Sequence, residues 1–445
     1  MINLTYLLFL ISIIIIFIID KLIAKRSWHD PLYIFLILMI LYVSPLTLRY
    51  IYDLPIEGNV TQYFYELKNI FPYSLIVVTI CILLFYTSYQ LSSSIIFTKI
   101  IRKKSNNIEK NLLNYSIAGY FLLVCGVFLF LILSLPYGGP VGVILQGYAV
   151  TEIFSVNPLL ASSISIISTS SIILLCAYVQ NHQKKYLFIS IVIITSTILL
   201  QIILARRSEI AVWSLTYIIF YSILVKHVSL KKILPVVLVG FIFLNLLGFA
   251  RQANYESIET FTSSFSEQYN NLENDKTGMF YTLTTGQFVI PFETVPMLME
   301  KLPYSEMKYG TTLFDIILQW VPRSIWSDKG YGNGVWYYRT YYDPSGLSNE
   351  GRQFFFLAEG YLNFGLLGIF LWSILWGFFW KNISLLIKFQ NKVSILTAYL
   401  YASYTASMLT LIASDSVGIF VAFVKTKLLW FMIGYIIAYF GRKKI

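Results

Sequence analysis

Long apolar stretches alternate with short polar ones along most of this 445-residue chain. Apolar runs of roughly 18 residues or more recur, and each is long enough as a helix to cross about 30 Å of hydrocarbon. A membrane barrel would show shorter strands of alternating polarity instead. The pattern predicts eleven spans, at 2–19, 31–48, 72–97, 113–135, 158–178, 186–204, 209–225, 233–249, 356–380, 393–413 and 427–441. The fold class expected is therefore an all-α polytopic membrane protein. The first stretch, MINLTYLLFLISIIIIFIID, has no basic head, too long an apolar core and no small-residue cleavage site, so it reads as a span rather than a signal peptide. One polar stretch breaks the rhythm. It divides the chain into a membrane bundle over 1–249, a large loop over 250–353 and a closing set of spans over 354–445. No internal repeat is visible, and no span carries the paired Gly/Pro interruption expected of an inverted-repeat transporter.

Composition agrees with this reading. Hydrophobic residues make up 57% of the chain and charged residues 12%, about half the share of a soluble domain. The formal charge of +11 does not point to nucleic acid, because the cations sit in short loops beside the spans. The segments after odd-numbered spans hold 19 of the 33 Lys and Arg, with only Asp20, Asp30 and Glu109 among the acids, a net +16. The opposite side keeps 14 cations against 19 acids, a net −5. The positive-inside rule then puts the N-terminus and the large loop outside and the C-terminus in the cytoplasm. No cytoplasmic loop exceeds roughly 15 residues, too few to bury a core. There is no GxxxxGK[ST] and no GxGxxG, so a cytosolic nucleotide site is not expected. Any reaction must use a substrate that is already activated and already at the membrane.

Cys81, Cys125 and Cys176 fall inside spans and read as packing residues, with no CxxC pair for a metal. His29, His182 and His227 all fall on the cytoplasmic side. A general base outside must therefore be a carboxylate.

The loop is too long to be structureless. Thr312 and Asp315 have capping-box spacing ahead of IILQWV, and Pro322 stops that helix. Upstream, FVIPFETVPMLMEKLPY reads as an interfacial or re-entrant segment. The densest part is WVPRSIWSDKGYGNGVWYYRTYYDPSGLSNEGR, Trp320 to Arg352, with six aromatics between Tyr331 and Tyr342. An interfacial aromatic belt would account for the rings. Trp326 and Tyr338 interleave with Arg323, Asp328, Lys329, Arg339 and Arg352, however, which suits a ligand with both sugar and phosphate character. Arg206 and Arg207 occupy a turn of about four residues at the outer hydrocarbon boundary, and Arg251 leaves the eighth span at the same depth. All three could be anchors. A planar guanidinium also grips phosphate with two parallel hydrogen bonds, and a lipid diphosphate would lie at this level. Glu359 enters the ninth span beside three phenylalanines. It is a candidate base, with an ion pair to Arg352 as the structural alternative. Asp415 lies in a short outer turn, and Lys425 and Lys427 after it read as interfacial anchors.

These elements resemble the O-antigen polymerases, the Wzy-type oligosaccharide repeat-unit polymerases. The similarity rests on YGTTLFDIILQWVPRSIWSDKG (Tyr309 to Gly330), AEGYLNFGLLGIF (Ala358 to Phe370), ILARRSE (Ile203 to Glu209) and the Arg251 exit. The resemblance implies a GT-C-like glycosyltransferase in the bacterial inner membrane. It would move a growing glycan from undecaprenyl diphosphate onto a fresh lipid-linked repeat unit at the outer face. It implies Glu359 or Asp328 as base, with Arg206, Arg207, Arg251, Arg323 and Arg352 at the diphosphate. It implies no metal and no other cofactor, and it allows a chain-length regulator as a partner. An O-antigen ligase shares the architecture but relies on an outer-loop histidine that this chain lacks. A flippase would need charge at midplane.

Overall fold

Helices begin where the sequence supplies caps. Asp30 Oδ1 accepts the Leu32 N–H at 3.0 Å, and Pro31 needs no partner in the first turn. Asn157 with Pro158 repeats the device, and Asn114 caps the helix after it. The computed structural model describes residues 1–24, 26–54, 63–91, 113–146, 150, 153–154, 157–204, 206–229, 231–233, 235, 240, 290–321, 325–326, 332–343, 345, 351–388 and 393–441. Among the described residues every regular element is helical. Seven helices among these residues are long and apolar enough to cross a membrane: Ile2–Ile23, Pro31–Tyr52, Phe71–Leu91, Tyr115–Tyr137, Pro158–Asn181, Lys184–Ile203 and Phe356–Ile387. They match the spans expected at 2–19, 31–48, 72–97, 113–135, 158–178, 186–204 and 356–380. Arg207–Leu224, Ile395–Leu411 and Leu429–Phe440 are the shorter helices at the seventh, tenth and eleventh predicted spans. The eighth, 233–249, lies almost wholly outside the described residues.

The chain forms two compact units. The first comprises Met1–Ile95, Met279–Leu385 and Met408–Ala422. Its interior is a run of aromatic rings. Phe35 stacks on Phe85 at 3.7 Å, Tyr50 on Phe64 and Phe71, and Phe71 meets Phe292 edge-on. The Pro-punctuated segment, read from the sequence as interfacial or re-entrant, contains a helix, Ile290–Lys301, buried from Pro291 to Leu298. At the end assigned to the cytoplasm, Arg26 Nε lies 2.9 Å from Asp20 Oδ2 and its Nη1 lies 3.6 Å from Asp30. Two of the three acids that break the charge rule therefore neutralise a nearly buried arginine.

The predicted ninth span is not one continuous helix. Within Phe356–Lys388 the backbone leaves helical geometry at Phe364 and Gly365, where Gly365 has φ +61° and ψ −145°. The chain doubles back there, so that a Cβ on Gly360 would meet Gly368 O and Trp372 Cβ at 2.7 Å. That close approach requires glycine on both arms. The last carbonyls of the short arm are not orphaned: Leu362 O accepts from Lys308 N–H at 2.9 Å and Asn363 O from Tyr309 N–H at 3.1 Å. The Thr312 capping box does not form. Gly310 is the N-cap of the Thr311–Leu318 helix, and Thr312 Oγ1 instead accepts a hydrogen bond from Asn363 Nδ2 at 2.7 Å.

The second unit comprises Ile96–Gly278, Leu386–Ser407 and Phe423–Ile445. Small residues set its spacing. A Cβ on Gly119 would strike Leu174 Cγ at 2.6 Å, and one on Gly126 would strike Ile167 Cγ1 at 2.8 Å. The Tyr115–Ser134 and Pro158–Asn181 helices thus pack closely, as membrane helices do where side chains are small. Hydroxyls of Ser163, Ser168, Ser170 and Ser171 bond back to their own helix, so serine enters the interior without an unmet donor.

Candidate functional site

In the first unit the candidate groups gather where the helical reversal, the Thr311–Leu318 helix and the turn after Ile395–Leu411 meet. Glu359 sits on the short arm of the reversal with no exposed surface. Its Oε2 accepts the Ser416 N–H and its Oε1 the Ser416 hydroxyl, both at 2.7 Å. The Thr312 hydroxyl also reaches this carboxylate, and the Asp415 charge acts on it. Asp415 accepts the Asn333 N–H at 2.8 Å and the Gly418 N–H at 3.0 Å. A carboxylate thereby meets the first turn of the Asn333–Tyr341 helix, where the dipole favours negative charge. Burial first, and then the Asp415 charge, raise the pKa of Asp315 above its ordinary value, while Lys308 opposes them. Lys308 Nζ lies 5.2 Å from the centre of the Trp336 ring. Carboxylates, hydroxyls and the Lys308 ammonium thus share this end of the unit.

Arg352 does not pair with Glu359. Its Nη2 is 2.9 Å from Glu293 Oε2, its Cζ stands 3.8 Å from the centre of the Tyr342 ring, and both ion-pair side chains are nearly buried. Burial is the main cause that pushes Glu293 up to about 7, and the Arg352 charge only partly offsets it. Tyr337, fully buried, packs edge-on against Phe354, so this ring belongs to the core of the loop. Tyr338 stacks parallel to Tyr342, Arg339 occupies the last turn of the same helix, and Trp326 is 38% exposed.

In the second unit Arg206 is the N-cap of the 18-residue Arg207–Leu224 helix and Arg207 its first residue. Two guanidiniums therefore stand at a helix N-terminus, where backbone N–H groups and the dipole already favour an anion. Arg206 Cζ lies 5.0 Å from the centre of the Phe154 ring, and Glu209 lies at the 4.0 Å limit of an ion pair. Arg251, Arg323, Asp328 and Lys329 lie outside the described residues.

Sequence reasoning passed over one charged residue, Glu293, and misread another, Lys427. Glu293 is an acid between prolines in an apolar segment, and that context could have marked it as buried. Lys427 is not an interfacial anchor. It is 5% exposed, and its Nζ donates to Ser407 Oγ at 3.0 Å.

No curated protein and no solved structure matches the chain. A family model does, and over residues 1–444: the chain belongs to the family of the O-antigen polysaccharide polymerase Wzy, multi-pass membrane proteins that join lipid-linked repeat units into polysaccharide.

Proposed function

We propose that the chain transfers a growing glycan from undecaprenyl diphosphate to the non-reducing end of a new lipid-linked repeat unit, at the outer face of the bacterial inner membrane. An acceptor hydroxyl oxygen forms the bond to the donor's anomeric carbon. The bond from that carbon to the diphosphate breaks, the polyprenyl diphosphate leaves with the electron pair, and Glu359 takes the hydroxyl proton. The donor is already activated, so the reaction calls for no nucleotide.

The observation that carries this reading is the pair Arg206 and Arg207 at the start of one helix, in a chain that matches the family from residue 1 to residue 444. Preorganised positive charge at a helix N-terminus stabilises the negative charge that develops on a leaving diphosphate. Arg251 and Arg323 are assigned to the same anion. Arg352, neutralised by Glu293, is assigned to holding the loop. Guanidiniums replace a divalent cation here, so the reaction is metal-independent and a chelator leaves it running. The aromatic residues of the loop, Trp326 and Tyr338 among them, and Arg339 are assigned to the sugar. The topology we assign has eleven spans in a GT-C-like arrangement, the N-terminus outside, the C-terminus in the cytoplasm, and residues 250–353 as the external loop between bundles 1–249 and 354–445.

Substitution at the pair tests the assignment. Arg206→Ala and Arg207→Ala each lower the polymerisation rate by about 10- to 100-fold, the equivalent of a charge-assisted hydrogen bond, with protein levels unchanged. Lysine at either position restores part of the rate, since it lacks the two-pronged geometry. Wild-type chain lengths and rates in both alanine variants would overturn the diphosphate assignment.

A further inference from the structure

Lys427 reaches its site from far along the chain. It lies on the Val424–Leu428 segment, which winds as a π-helix. Such bulges cost regular hydrogen bonding and recur where a helix must present a particular side chain. Tyr399 ties down the backbone there, its hydroxyl donating to Lys427 O at 3.1 Å, and stacks face to face on Phe431 at 3.7 Å. The side chain is thereby held with its Nζ 5.4 Å from the centre of the Trp213 ring. Trp213 stands two turns into the Arg207–Leu224 helix, the helix that carries the arginine pair at its start. The Glu209 carboxylate, in the first turn of that helix, acts electrostatically on the ammonium.

The compensation at this ammonium is incomplete. Among the described residues no carboxylate lies within ion-pair distance of Lys427, and its ammonium donates to a neutral hydroxyl. An ammonium has three donors, and burying it without an anion is unfavourable. The N–H of the Trp213 indole is buried and has no hydrogen-bond acceptor among the described residues. An ammonium matched only by a neutral hydroxyl thus packs against that indole, an arrangement suited to an anion.

We propose that Lys427 is a further cation of the diphosphate site, holding a phosphate oxygen together with the Trp213 N–H. This rests on the reading of Arg206 and Arg207 as the diphosphate anchor. It extends that anchor along the inner side of the same helix, to a residue about 220 positions away in the chain, and gives the π-helical segment a task.

The test measures binding of a short polyprenyl diphosphate to the purified full-length chain, alongside thermal stability. Lys427→Met keeps the aliphatic stem and removes the charge. It is expected to weaken binding about tenfold or more, at unchanged or higher thermal stability, because a buried charge has gone. Lys427→Arg regains most of the affinity. Trp213→Phe keeps the ring and removes the N–H. It weakens binding severalfold without loss of stability, and it serves as the test should Lys427→Met fail to accumulate. Binding within twofold of wild type in Lys427→Met and Trp213→Phe, with Arg206→Ala impaired, would overturn the role of Lys427 and leave the arginine anchor standing. Wild-type binding in Arg206→Ala and Arg207→Ala as well would overturn the anchor itself.

Discussion

Glu359→Gln separates chemistry from folding. Both Glu359 oxygens are engaged by Ser416, one by its N–H and one by its hydroxyl, each at 2.7 Å. A glutamine of the same volume can keep both contacts. Its Oε1 accepts the Ser416 N–H, and its amide donates to Ser416 Oγ once that hydroxyl rotates. What is lost is charge assistance, about 1–3 kcal/mol over the two bonds, and this is offset by no longer holding a carboxylate in a fully desolvated place. Net stability therefore changes little. Glu359→Ala removes both acceptors and leaves the Ser416 N–H buried without a partner, at about 1–3 kcal/mol plus a cavity term. A missing general base costs about 10²- to 10⁴-fold in rate. The assay pairs thermal melting of the purified variant with the initial rate of glycan elongation in liposomes supplied with lipid-linked repeat units. The expected outcome is a glutamine variant that melts like wild type and elongates at least about a hundredfold more slowly. A folded Glu359→Gln protein that elongates at the wild-type rate would refute Glu359 as proton acceptor and leave it as a staple for the Ser416 turn.

Two further outcomes follow from the first unit. Glu293 is raised from 4.5 to about 7 chiefly by burial, so between those pH values the folded chain holds more protons than the unfolded one. Stability accordingly falls as pH rises through that window and is flat above it. Melting temperature should drop from about pH 5 to about pH 7.5, and Glu293→Gln should flatten the slope, whereas an unchanged slope in the variant would contradict the assignment. At the helical reversal, Gly365 has a φ of +61° that side chains rarely adopt. Gly365→Ala should destabilise by about 1–3 kcal/mol, read as a lower melting temperature, and a wild-type melt would show that the turn is not fixed there.

Hydropathy made the spans legible, because in a bilayer a helix must be apolar along its whole crossing length, and this leaves little freedom in sequence. The same constraint hid the reversal at Gly365. Both arms are apolar, and a glycine inside a span is ordinary until a second glycine, Gly360, is seen to let the arms touch. Ion pairing was not read from the sequence, even where it is local. Arg26 with Asp20 lies within one short segment, but Arg352 passed over Glu359, seven positions along the chain, for Glu293, 59 positions away. Lys427 reads as an anchor because lysine at a span's edge usually snorkels. The π-helical turn and the Trp213 face that turn it inward leave no mark in its neighbours' sequence. Ser416, which holds Glu359, is a serine in a polar turn and carries no signal of its own.

The central claim is that this one chain joins lipid-linked repeat units. Its most direct measurement is mass spectrometry of the lipid fraction after the purified protein, alone in liposomes, is given undecaprenyl-diphosphate-linked repeat units and a chelator. The account predicts a ladder of glycans on the carrier, each longer by one repeat unit, with free undecaprenyl diphosphate released for every bond formed. Single repeat units remaining as the sole glycan, with no diphosphate released by folded protein, would contradict it.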